Sequence, residues 1–91
     1  MPLKERLIEF IIPYAMGLKE FDQNKFEQEL KSLLRYYLAR KEFTWAEINI
    51  VLQQIDANLE GAVEDVEMRK KMHNAIRRTI NFARVYKNLS R

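Results

Sequence analysis

Apolar residues recur along this chain at three- and four-residue steps, the period of one face of an α-helix. Leu3, Leu7, Phe10 and Ile11 make the first stripe. Pro2 stands close to the first-turn position, where its missing N–H costs nothing, so a helix is predicted from about Leu3. Pro13 removes a backbone donor and disfavours helix at Ile12; a kink or an end is predicted there, with Gly17 finishing the segment. Phe26, Leu30, Leu33, Leu34, Tyr37 and Leu38 form a wider stripe on a second helix that runs to about Lys41, capped by Asp22 or Asn24. On that helix Glu27 and Lys31 stand in the favourable i,i+4 order. Thr44-Trp45-Ala46-Glu47 matches the capping box and opens a third helix, with Phe43 placed to staple against Ile48. Its stripe is Trp45, Ile48, Val51, Leu52, Ile55 and Leu59. Gly61 then punctuates the chain. A fourth helix is predicted from about Val63 to Asn88, with Met72, Ala75, Thr79, Phe82, Tyr86 and Leu89 stepping 3-4-3-4-3 and Ile76 and Ala83 widening the stripe. The expected fold is all-α: a single domain over residues 1–91, a compact antiparallel helical bundle of about four helices.

Composition strengthens this picture. Two Gly and two Pro are too few for the turns of a many-stranded β fold. The chain has no Cys, which excludes disulfides, thiolate metal sites and a Cys nucleophile. The most apolar stretch, residues 7–18, is too short to span a bilayer and carries Glu9 and Pro13. It has neither the clean apolar run nor the cleavage site of a signal peptide. The expectation is a soluble, unexported, cytoplasmic protein with no membrane span.

Charge changes the picture more. The net charge is only +3, but it is unevenly spread. Residues 1–68 hold 8 basic and 13 acidic side chains, and residues 69–91 hold 8 basic and no acidic ones. Lys70, Asn74, Arg77, Asn81, Arg84, Asn88 and Arg91 step by 4-3-4-3-4-3 and stack along one helix face, roughly opposite the Met72–Leu89 stripe. Lys71 and Arg78 flank that face. Guanidinium groups suit phosphates, and interleaved Asn amides can bond phosphates or base edges. Arg77, Arg78 and Arg84 are the main candidate contacts to an anionic partner, nucleic acid or an acidic protein surface. Lys70, Lys71, Asn74 and Asn81 are secondary ones. The plainer reading is a solvated helix face whose cations favour the helix C-terminus, or one neutralised by the acids of helices 2 and 3.

Helix 3 has an unusual outward side. Ala46, Ile50, Gln53 and Ala57 leave it nearly uncharged, which points to a further contact: another helix of the chain, or a homodimer partner. The alternative is a mildly apolar exposed face. Among the aromatic residues Tyr37, Phe82 and Tyr86 lie on core stripes, and Tyr36 is expected half exposed.

The segment from Asp56 to Glu67, DANLEGAVEDVE, resembles the calcium-binding loop of the EF-hand family. Asp56, Asn58, Glu60 and Glu67 stand at ligand positions, Gly61 at the turn and Val63 at the branched apolar position. The resemblance implies a hard-cation site with Asp56, Asn58, Glu60 and Glu67 as ligands. The pattern departs at Glu60, longer than the usual ligand, and at Lys71, where the family is apolar; no second loop accompanies it. The same letters fit a turn between helices, with Gly61 as a left-handed cap and Glu64, Asp65 and Glu67 at the positive end of the next helix.

His73 is the only histidine, expected to be solvated, so no transition-metal site is implied. No nucleophile–base–orienter set and no phosphate-cradling glycine loop is present, so no enzyme, cofactor or small-molecule substrate is implied. The favoured function is a regulatory or adaptor module that binds its anionic partner through the basic last helix. The alternatives are a calcium-responsive EF-hand-like protein, and a protein-interaction or immunity-type bundle with no nucleic-acid role.

Overall fold

The computed structural model describes residues 3–89, with side chains through Val85. Five helices follow one another: α1 Leu3–Ala15, α2 Gln23–Ala39, α3 Trp45–Ala57, the one-turn α4 Leu59–Ala62, and α5 Val66–Leu89. No strand occurs among the described residues. The all-α expectation holds. Pro2 and the side chains of Tyr86, Asn88, Leu89 and Arg91, to which roles were assigned above, lie outside the described set.

Local hydrogen bonding sets most helix ends. Asp22 caps α2, its Oδ1 accepting from the Lys25 N–H at 3.2 Å. The predicted capping box forms at α3: Thr44 Oγ1 accepts from the Glu47 N–H at 3.1 Å, and Glu47 Oε1 accepts from the Thr44 N–H at 3.2 Å. Pro13 lies inside α1, which ends two residues beyond it. There Gly17 takes φ 74°, its N–H bonds the Tyr14 carbonyl and the Leu18 N–H bonds the Pro13 carbonyl. That pair of bonds is a Schellman motif. The end of α2 repeats it without glycine. Lys41 sits at φ 58°, its N–H on the Leu38 carbonyl and the Glu42 N–H on the Tyr37 carbonyl.

The junction after α3 differs from the expected helix–turn–helix. Gly61 is not a left-handed cap; it lies within the helical turn of α4, and among the described residues only Gly17 and Lys41 have positive φ. The last helix starts at Val66 rather than near Val63, with Asp65 as its cap: Oδ1 accepts from the Met68 N–H at 3.1 Å. Val63 instead plugs the core at 1% exposure.

All the helices share one core. α5 packs most extensively against α2 and then against α3, while α1 rests on α3. Consecutive long helices run in opposite directions. Arg6 of α1 meets Glu42 just past the end of α2, whereas Tyr14 meets Phe21 and Phe26 edge-on near its start. α2 and α5 lie side by side in the same direction: Glu27 faces Arg78, and Lys31 faces Phe82 one turn further on. Ala75, Thr79 and Ala83 of α5 have essentially no exposed surface, and their small size lets the neighbouring helix approach closely.

An aromatic layer joins α1 to α2. Phe10 and Phe26 stack at 5.4 Å, and Tyr14 meets Phe26 edge-on at 5.2 Å. The Tyr14 hydroxyl donates to Glu29 Oε2 at 3.0 Å. Burial pushes this phenol above its ordinary range, and the bond to the Glu29 carboxylate pushes it further.

Two outcomes follow from these ends and this layer. Lys41→Gly should stabilise the protein by about 0.5–1 kcal/mol in urea unfolding, because relief of left-handed strain outweighs glycine's extra freedom in the unfolded chain. Tyr14→Phe should cost about 1 kcal/mol at neutral pH through the lost hydrogen bond. The raised phenol stabilises the fold fully below the unfolded value near about 10, and that stabilisation is lost as pH rises through the folded value. Urea melts of both proteins at neutral and alkaline pH should therefore show the gap closing above about pH 10.

Candidate functional site

Burial of Met72, Ala75, Ile76, Thr79 and Ala83 fixes the rotation of α5. Helix periodicity then turns Lys70, Lys71, Asn74, Arg77, Arg78, Asn81 and Arg84 outward, and all seven are exposed. The acids of the chain do little to neutralise them. Arg78 reaches Glu27 of α2 at 3.6 Å. Among the described residues no carboxylate comes within ion-pair distance of Lys70, Lys71, Arg77 or Arg84. Three acids of the first half pair with cations of that half: Glu27 with Lys31 at 2.8 Å, Glu29 with Lys19 at 3.8 Å, and Glu42 with Arg40 at 2.9 Å.

Arg77, Asn81 and Arg84 do more than share a face. With Ile80 they form one wall of a groove of about 640 Å³. The facing wall is α3, which contributes Trp45, Asn49, Gln53, Asp56 and Ala57. The positions on α3 recur at near four-residue steps, so they lie on one helix side. Neighbouring amides steady each wall. Gln53 Nε2 donates to Asn49 Oδ1 at 3.1 Å, and Arg84 Nη2 donates to Asn81 Oδ1 at 3.1 Å. At the far end His73 Nδ1 lies 2.7 Å from Asp56 Oδ1, tying α5 to α3. Beyond this pair a smaller depression of about 340 Å³ continues past Lys70, Arg69 and Glu60.

The sequence-predicted residues divide accordingly. Arg77, Asn81 and Arg84 enter the groove; Lys70 lines the depression beyond it; Lys71, Asn74 and Arg78 do not line the groove. Among the described residues no other helix covers the outward side of α3, where Ala46, Ile50, Gln53 and Ala57 are exposed. Gln53 and Ala57 line the groove, while Ala46 is exposed and Ile50 stands 58% exposed beside it. His73, expected to be solvated, is instead engaged by Asp56.

The EF-hand-like residues are not assembled into a ligand ring. Asp56 is turned to His73, Asn58 ends α3, Glu60 sits on the helical turn α4, and Glu67 lies in the first turn of α5. Among the described residues no three His, Asp or Glu side chains gather where a metal ion could be held.

Trp45 and Asn49 entered no site assignment from the sequence. Trp45 was placed in the core stripe; it is half-buried and belongs to both the core edge and the groove. The run Trp45, Asn49, Gln53 on one helix side is a legible signal, but its meaning depends on which helix it faces. No helix of the described residues is long and apolar enough to cross a membrane. No protein-family model, no curated protein and no solved structure matches the chain.

Proposed function

We propose that this protein is a non-enzymatic regulatory or adaptor module that binds an anionic partner, nucleic acid or an acidic protein surface, through α5. One observation carries the reading: the exposed cations Lys70, Lys71, Arg77 and Arg84 have no acidic partner among the described residues. An ordinary solvated face would carry both signs, and its charges would pair along the helix. Here no such pair forms for these four cations among the described residues.

Labelled oligonucleotides and an acidic polypeptide, titrated at several salt concentrations, test this directly. With four cations engaged on a single strand, log Kd should change with log salt with a slope of roughly 3 in magnitude. Arg77→Glu combined with Arg84→Glu should abolish binding while leaving the melting temperature unchanged, since both side chains are exposed. Binding that survives the charge reversal overturns the reading.

Exposed Ile50 beside Ala46 favours a second role for α3, self-association into a homodimer. Light scattering coupled to chromatography should then show a dimer that Ile50→Lys returns to monomer. A monomer at high concentration in the unsubstituted protein removes this role.

A further inference from the structure

We infer that the groove between α3 and α5 receives a single strand of nucleic acid, with phosphates on the α5 wall and bases against the α3 wall. This rests on the anionic-partner reading above and narrows it to one ligand class.

The two walls differ in chemistry. Both guanidinium groups of the groove, Arg77 and Arg84, belong to α5. The α3 wall has an indole, Trp45, two amides, Asn49 and Gln53, and one carboxylate, Asp56, already engaged by His73. An acidic protein surface would be served by cations on both walls, and here only one wall carries them. A nucleic-acid strand is itself two-sided. Its backbone needs cations, and its bases need flat apolar surface and amide donors and acceptors. The Gln53–Asn49 bond uses one amide hydrogen of Gln53 and the carbonyl of Asn49. The Gln53 carbonyl and the Asn49 amino group make no other hydrogen bond among the described residues. Both remain available to base edges.

Shape separates a single strand from a duplex. A helix that reads duplex DNA enters the major groove, about 12 Å wide, alone. Here α3 stands beside α5 along the arginine side, and each helix is about 10–12 Å across with side chains. The pair cannot enter a duplex groove with Arg77 and Arg84 leading. A strand with exposed bases fits between them. Arg77 and Arg84 are seven residues apart, about 10 Å along the helix. That distance spans about three nucleotides at 3.4 Å each, so the groove takes a short segment.

The protein holds one tryptophan, so its emission comes from Trp45 at the groove and the adjoining core edge. Full-length protein is titrated with end-labelled single-stranded oligonucleotides, with a hairpin duplex of equal charge, and with poly-glutamate, following label anisotropy and Trp45 emission together. The expected result is quenching of Trp45 by single strands and at least tenfold preference over the duplex. Trp45→Leu should weaken single-strand binding about tenfold. Because Trp45 also touches the core, the double variant Asn49→Ala/Gln53→Ala provides a second measurement on exposed or half-exposed positions and should weaken it several-fold. Single strands that bind through Arg77 and Arg84 without changing Trp45 emission, or that bind both variants as tightly as the unsubstituted protein, overturn the groove and leave the anionic-partner reading standing. Equal or tighter duplex binding does the same. Arginine-dependent binding of poly-glutamate alone overturns the nucleic-acid assignment and keeps the acidic-protein form of that reading. No binding of any polyanion removes both.

Discussion

Ala75, Thr79 and Ala83 stand one turn apart on α5, and none retains more than 1% of its surface. α5 packs most extensively on α2, and nothing larger than threonine at these positions holds that helix away. Thr79 brings a hydroxyl into the contact, which the Ala75 carbonyl accepts at 2.7 Å, so this hydroxyl is not buried without a partner. Once this stripe is buried, the rotation of α5 is settled. Lys70, Arg77 and Arg84 can then only face away from α2. The same rotation brings Arg77, Asn81 and Arg84 beside α3, so one packing contact both exposes the basic face and builds a wall of the groove.

Electrostatics completes what packing begins. The charge split along the chain could have been cancelled by folding the basic helix over the acidic ones. Among the described residues, the one arginine or lysine of α5 that meets a carboxylate is Arg78, at Glu27. Two other acids near α2 find closer cations, Glu42 in Arg40 two residues away and Glu29 in Lys19. Such surface pairs contribute little stability, about 0–1 kcal/mol each. Among the described residues, Lys70, Lys71, Arg77 and Arg84 of α5 are left without a carboxylate in ion-pair range. A cationic wall stands opposite a wall of amides and an indole whose one carboxylate, Asp56, is engaged by His73.

Much of this was legible in the letters. The stripes Leu3–Leu7–Ile11 and Leu30–Leu34–Tyr37 are core because period alone places them on one side. Thr44 and Glu47 form their capping box because both partners lie within one turn. The segment around Gly61 was less readable. Asp56, Asn58, Glu60 and Glu67 match a cation loop by spacing, yet spacing says nothing of backbone shape. Leu59–Ala62 coils into a helical turn, Leu59 and Val63 fill the core, and the carboxylates disperse. Lys41 hid for a similar reason: a Schellman end is easily seen at Gly17 and invisible at a lysine.

Helix number, buried stripes, caps and the exposed basic face were therefore settled by interactions within about one or two turns of chain, which a sequence carries directly. The groove was not. Trp45 and Arg84, like Asp56 and His73, come together across the whole α3–α4–α5 connection, and their meeting depends on how two helices rotate and align against α2. No local pattern encodes that alignment. It arises from the joint burial of apolar side chains supplied by every long helix, and only the folded chain shows which polar faces are thereby brought into apposition.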